Sequence, residues 1–426
     1  MNILLIQAYL GGKETPVFPL GLSCLASSIK GHNLKIFDPN VSEDYIVELS
    51  DILGKYRPNL VGISLRNIDS TNKSKVVFYY GYLKETIDVI KADPGRNIKI
   101  VIGGSGFSMF ANEIMQNESR IDYGVFLEGE STFTELLEHF DQPKTVRGIY
   151  YRENGKLVFT GPRNQVDLNT IAIPDRKIFP MESYFDIPDA IGVETKRGCT
   201  FGCIYCVYGF LNGKNLRLKE PLKVVDEIES LKVDMKVKNF TFVDSVFNFP
   251  LSHAESICKE IIKRGLDVSW SAWFHENYLD EEFVDLVRNA GCKKIILSPD
   301  GFSDDILSRL GKTIKKKDIL RVFDMLKDVD GIETCYNFFK NPPGQNFFTF
   351  LRLMKFYFKA KISMKDKVHF EFNSIRIEPY TKLYKIALEE GIIDKDNNLL
   401  YPTYFTTKNN SYIERLFSIM LLFKGK

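Results

Sequence analysis

Long apolar runs, a surplus of charge and a basic leader are missing from this sequence, and each absence closes a class of function. No uninterrupted apolar stretch approaches the roughly twenty residues that cross a bilayer, so no membrane span is expected. Lysine and arginine number 57 against 55 acidic residues, a formal net charge of +2. A nucleic-acid partner calls for a concentrated basic face, and the one mid-chain basic run, Lys315-Lys316-Lys317, reads as a solvated helix start. The chain passes straight into Asn2-Ile3-Leu4-Leu5-Ile6, a buried-strand pattern without a signal leader, so a cytoplasmic location is expected. The apolar run Leu416-Phe417-Ser418-Ile419-Met420-Leu421-Leu422-Phe423 is short for a span and reads as a packed closing helix.

Cysteine is also scarce. Of the 7 in 426 residues, Cys24, Cys258, Cys292 and Cys335 are scattered among apolar neighbours and read as small core residues. The other three crowd into Lys196-Arg197-Gly198-Cys199-Thr200-Phe201-Gly202-Cys203-Ile204-Tyr205-Cys206, a Cys-x3-Cys-x2-Cys spacing. Three thiolates on one tight loop can hold three irons of a four-iron, four-sulfur cluster and leave the fourth open. An open metal position is where chemistry takes place. Zinc would call for a fourth Cys or His close by, yet His253 and Cys258 stand roughly fifty residues on, in a helical pattern.

What is present in quantity is ordinary globular material, 44% hydrophobic and 26% charged, in a chain long enough for two domains or more. The first part alternates strand and helix in the manner of a doubly wound parallel α/β sheet. Strands are expected at Ile3–Ile6, Lys35–Phe37, Leu60–Ser64, Lys99–Ile102 and Tyr123–Phe126, with helices at Leu20–Ile29 and Tyr79–Ile90. Three strand ends run into loops of small or special residues: Gly62-Ile63-Ser64-Leu65-Arg66, Gly103-Gly104-Ser105-Gly106 and Glu128-Gly129-Glu130. Ligands of open parallel sheets sit at such ends, and glycine lets a ligand approach the backbone; as ordinary strand-to-helix turns the same loops need no ligand. Glycine and proline then punctuate Tyr150–Phe179 as a short strand pair and an irregular linker. Beyond the cysteine loop, strands at Asn239–Val243, Val268–Ala272, Lys293–Ser298, Ile332–Phe338 and His369–Ile377, with helices such as Pro221–Leu231 and Asp280–Ala290, predict an open or partial (β/α) barrel.

The cysteine spacing, with Tyr205 ahead of the last thiol, resembles that of the radical S-adenosylmethionine (SAM) enzymes. In that family the open iron chelates the amino and carboxylate groups of SAM, and an electron from the cluster cleaves it to a 5'-deoxyadenosyl radical. The order Pro19-Leu20-Gly21-Leu22, Gly62-Ile63-Ser64, Gly103-Gly104 and Glu128-Gly129-Glu130-Ser131-Thr132-Phe133 is similar to the cobalamin-binding domain that precedes many radical SAM domains. Together the two resemblances imply a Rossmann-like cobalamin domain over 1–145, a linker over 146–187 containing the bridge Ile173-Pro174-Asp175-Arg176, a partial (β/α)6 barrel over 188–380 and a helical cap over 381–426. Cobalamin contacts are then expected from Ser64, Arg66, Gly103, Gly104, Glu128 and Gly129, and cluster ligation from Cys199, Cys203 and Cys206.

The familiar cobalamin motif Asp-x-His-x-x-Gly is absent, and His32 in Gly31-His32-Asn33 reads as a capping or surface residue. That puts the lower axial ligand of cobalt in question. Arg66 is assigned a catalytic role on this account: a guanidinium cannot ligate a metal, so beneath cobalt it would favour a weakly ligated, reactive centre. Its other reading is an ion pair with Asp69 or another carboxylate.

Around SAM the expected contacts are Tyr205, Asp244, Ser271, Ser298, Asp300 and Arg376, polar groups at strand ends or beside the cysteine loop. Asp244 and Asp300 read equally as helix caps, Trp273 as barrel wall, and Arg376 as an internal partner of Glu371 or Glu378. Asn341-Pro342-Pro343-Gly344-Gln345 is similar to the family's Gly-x-Pro-Gly-Glu loop with an amide in place of the acid, and Ile375-Arg376-Ile377-Glu378-Pro379 to its Gly-x-Arg-Ile-x-Pro strand. The resemblance implies transfer of methyl from SAM through methylcobalamin to a carbon of a small molecule or peptide, with electrons from a flavodoxin- or ferredoxin-type donor. A rearrangement or cyclisation without methyl transfer is the enzyme alternative, and a corrinoid or iron-sulfur sensor the non-enzyme one.

Overall fold

The computed structural model describes residues 1–406 and 411–422, the last two by backbone alone. The chain forms two compact units, Met1–Ser70 with Ser74–Gly192, and Thr71–Lys73 with Val193–Lys426.

In the first unit the strands are β1 (Asn2–Gln7), β2 (Asn33–Phe37), β3 (Leu60–Ser64), β4 (Lys99–Gly103), β5 (Tyr123–Val125), β6 (Ile149–Glu153) and β7 (Lys156–Phe159), in the order β2-β1-β3-β4-β5-β6-β7. Ile3, Leu4, Leu5 and Ile6 are all buried, because a parallel strand covered by helices on both faces has no polar side to show. The first five strands are parallel. Their order reverses between β1 and β3, the switch point at which such sheets bind ligands. The strand pair expected inside the linker instead extends the sheet, with β6 antiparallel to β5 and β7 to β6. Tyr150 and Phe159 stack across it at 4.4 Å, a cross-strand pair that the punctuating glycines gave no hint of.

The segment after β7 is irregular but packed. Arg176 is buried, lies over the Phe18 ring at 4.9 Å and donates to the Gly192 carbonyl at 2.6 Å. Tyr184 donates to Asp38 at 2.5 Å, and Asp175 N to Ser27 Oγ at 2.6 Å. A linker rich in proline is therefore held by polar anchors within the first unit.

The second unit contains β8 (Gly192–Val193), β9 (Lys196–Arg197), β10 (Arg217–Leu218), β11 (Asn239–Phe242), β12 (Ser269–Phe274), β13 (Cys292–Asp300), β14 (Glu333–Phe339) and β15 (Val368–Asn373). Six of them form one sheet, β8-β11-β12-β13-β14-β15, in chain order and not closed on itself. From β11 to β15 the pairing is parallel, and helices such as Pro221–Asp234, Leu251–Lys263, Glu281–Asn289 and Lys316–Leu326 make the crossovers. This is the partial barrel that the strand spacing predicts. The layer between its sheet and the helices is aromatic, with Phe242, Phe247 and Trp270 in one cluster and Tyr336, Phe338 and Phe370 against Phe356 of the helix Phe347–Met364 in another. Asp280 caps the helix Glu281–Asn289 through Phe283 N, and Lys315 is the cap of Lys316–Leu326, so the lysine run is a helix start.

The helix Ser411–Leu422 buries Ile413 and Phe417, the latter 5.0 Å from both Phe350 and Phe372. It is a packed closing helix, as expected of the terminal apolar run; Phe423, and residues 407–410 and 424–426 of the expected cap, lie outside the described residues. No described helix is long and apolar enough to cross a membrane.

Candidate active site

The cysteine loop leaves β9 and returns as β10, which pairs antiparallel with it. Cys199 N donates to Gly213 O at 3.0 Å, Cys206 N to Cys203 O at 3.3 Å and Tyr208 N to Cys206 Sγ at 3.4 Å. All three thiols are free; Cys199 and Cys203 are half-buried and Cys206 is exposed. Desolvation of the thiol first, then the charges of Cys203 and Cys199, push the Cys206 pKa up to about 11. The remaining four cysteines are buried, as small core residues should be.

At the base of the loop sits a buried carboxylate. Asp244 accepts from Thr195 N at 2.8 Å, Thr195 Oγ1 at 2.6 Å and Lys196 N at 3.2 Å. The buried Lys196 ammonium lies 3.7 Å from it and donates to Phe247 O at 2.7 Å and Phe249 O at 3.0 Å. Asp244 is thus neither a helix cap nor open to a ligand; it fixes the backbone that enters the loop. Ser271 shares a 2.7 Å hydrogen bond with Thr241 and is buried. Arg376 pairs with Glu378 at 2.5 Å and donates to Leu399 O at 3.0 Å, which is the internal pairing that its sequence context allowed.

Tyr205, Ser298 and Asp300 do come together. The Tyr205 hydroxyl donates to Asp300, which terminates β13 with a left-handed φ of 65°, and Lys312 pairs with the same carboxylate. Lys312 also donates to Ser298 O at 2.7 Å, while Ser298 Oγ accepts from Asn337 at 3.1 Å. Trp273 is the last residue but one of β12 and is exposed. Lys312 and the Thr195–Lys196 anchor were not singled out from the sequence. Leu310-Gly311-Lys312 follows a short helix and carries no local pattern that points to Cys203.

In the first unit the three expected loops meet. Ser64 and Gly103 are paired in register, Leu65 N donates to Gly103 O at 2.8 Å, and Phe107 N donates to Leu65 O at 3.2 Å. Leu127 N donates to Ser108 Oγ at 2.8 Å, tying the third loop to the second. Gly104 has φ 100° and ψ 169°, a region essentially restricted to glycine, and a Cβ there would stand 2.6 Å from Leu65 O. Glu128 Oε2 accepts from Val166 N at 3.1 Å, and Gly129 opens the helix Gly129–Glu138. Arg66 is exposed, with its carbonyl accepting from Ser105 Oγ at 2.8 Å, and Asp69, three positions on, is buried.

Family comparisons follow the same division. Residues 8–137 match the B12 binding domain and residues 193–357 the radical SAM superfamily. The chain is a member of the cobalamin-binding radical SAM family. An uncharacterised methyltransferase of Pyrococcus horikoshii is 27% identical over 90% of this chain and 82% of its own length. An anaerobic magnesium-protoporphyrin IX monomethyl ester cyclase of Rubrivivax gelatinosus is 29% identical over 59% of this chain, which spans about half of that relative, 47%. The radical SAM methyltransferase TsrM from Kitasatospora setae, solved with tryptophan and a SAM analogue, shares the fold with a TM-score of 0.81 at 23% identity, over 92% of this chain and 76% of its own.

For a radical SAM chain the fit of the thiols to a four-iron cluster is the test of the loop. Among the described residues no three His, Cys, Asp or Glu side chains converge on a single metal ion. A cluster does not ask for convergence, since each thiolate takes a different iron. Three free thiols within eight positions of one loop meet that requirement.

Proposed function

We propose that this chain is a cobalamin-dependent radical SAM methyltransferase acting on a carbon of a small molecule or peptide. One observation carries the reading: the same chain holds a three-thiol loop in an open (β/α) barrel and a parallel sheet whose order reverses between β1 and β3, where the glycine-bearing strand-end loops meet. When bound, the cluster and SAM supply radical chemistry and the corrinoid a methyl carrier. Cys199, Cys203 and Cys206 would hold the iron, and Tyr205, Ser298 and Asp300 would line the SAM side. Asp244, Ser271 and Arg376 would support that wall from behind, their polar atoms being engaged within the protein. Ser64, Arg66, Gly103, Gly104, Glu128 and Gly129 would surround the corrinoid, the exposed Arg66 offering it a cation that cannot itself ligate a metal.

Exposure of Cys206 leaves one side of the loop open to a low-potential flavodoxin- or ferredoxin-type donor. Free thiols throughout suit a reducing cytoplasm. The near-neutral charge favours a substrate other than nucleic acid. The relative named as a cyclase favours a second reading, cyclisation without methyl transfer.

To decide, the protein is expressed with cobalamin, purified anaerobically and assayed for iron and cobalt, then given SAM with a deuterated methyl group and candidate substrates. Iron and cobalt together, with the label in a carbon-bound product, is the expected result. An isomeric or oxidised product without label would favour the cyclase reading, and iron without cobalt would overturn the corrinoid half.

A further inference from the structure

We infer that Lys312 is a built-in positive charge that sets the reduction potential of the cluster held by Cys199, Cys203 and Cys206; the inference rests on the cluster reading above. The segment after the helix Asp304–Arg309 lies directly against the cysteine loop. Ile204 N donates to Leu310 O at 3.0 Å, and Gly311 approaches so closely that a Cβ on it would stand 2.5 Å from Gly202 O. The next residue is Lys312, whose Nζ lies 5.6 Å from the centre of the Tyr205 ring, between the second and third thiols in sequence.

The ammonium is fixed in place rather than waving in solvent. Its side chain is 13% exposed, it pairs with Asp300 and it donates to Ser298 O at 2.7 Å. A charge so buried is screened little by salt. Uptake of one electron adds a negative charge to the cluster, and a cation close by stabilises the reduced form, raising the potential; net charge around the sulfurs is a main determinant of such potentials. Asp300 acts in the opposite sense, partly cancelling the cation while holding it in position. Lys312 is therefore a positioning and tuning residue.

The test compares wild type, Lys312→Met, Lys312→Arg and Asp300→Asn after anaerobic reconstitution, with iron counted and the cluster titrated reductively under EPR. At equal iron content, Lys312→Met is expected to lower the one-electron reduction constant about tenfold, about 59 mV, with Lys312→Arg restoring the wild-type value and Asp300→Asn moving it upward. An unchanged midpoint in Lys312→Met, or a downward shift in Asp300→Asn, would overturn the assignment. If Lys312→Met holds no iron, the sign of the Asp300→Asn shift decides. A wild-type protein that binds no iron at all would take down the cluster reading itself.

Discussion

At Glu276 a carboxyl group is 2% exposed, and its Oε1 has no hydrogen-bond partner among the described residues. Burial raises its pKa from 4.5 to about 7. The folded protein therefore keeps a proton that the unfolded chain has already released between those values, so stability falls as pH rises across the window and is level above it. Glu276→Gln, which keeps the shape of the neutral acid, is expected to exceed wild type in urea stability at about pH 8 by roughly 3 kcal/mol at most, with the gain gone at about pH 4. A constant difference at both pH values would contradict the buried-acid account. Nothing in His275-Glu276-Asn277 announces this group, because acidic residues at a turn are normally solvated. By contrast the three grouped thiols, Cys199, Cys203 and Cys206, were legible residue by residue, since they fall within eight positions of sequence.

Two glycines set how the loops meet at the scale of elements. Gly104 lets the turn after β4 pass under Leu65, and Gly311 lets the segment after the helix Asp304–Arg309 press on Gly202. Alanine at either place needs a backbone shift, in opposite halves of the chain. Gly104→Ala is expected to lose most of its cobalt while keeping iron, and Gly311→Ala to lose iron while keeping cobalt, as read by elemental analysis of reconstituted protein. Loss of both metals in either variant would mean global unfolding rather than a local loop effect, and circular dichroism separates the two. Gly103-Gly104 could be picked out in advance because it follows a strand pattern directly. The β6–β7 hairpin could not be placed, because a glycine turn between short aromatic strands has the same local form in a linker as at a sheet edge.

For the whole molecule, each unit carries its own buried core, and a corrinoid that binds only the first should stabilise only the first. Binding to the native state at about one hundred times Kd adds about 2.7 kcal/mol. Calorimetry of the cluster-loaded protein with and without hydroxocobalamin is expected to move one unfolding transition upward and leave the other where it was. A shift confined to the unit that contains the iron would move the corrinoid out of the β1/β3 crevice. The α/β class and the sequence of parallel strands were readable beforehand, as continuous apolar runs such as Ile3–Ile6 have one stable use, between two helical layers.

By itself the sequence determined the main parallel strands, the glycine-bearing strand ends and the three-thiol loop, because each is encoded by periodicity or spacing over a few residues. Only the tertiary structure decided which polar groups serve a ligand and which serve the protein. Asp244 meets Thr195 across 49 positions, and Tyr205 meets Asp300 across 95. Such pairings depend on which strand ends the crossovers bring side by side. A charged residue gives the same local signal whether its partner is a cofactor, solvent or another side chain, so Lys312 could be assigned only once the fold had brought Asp300 and Ser298 to it.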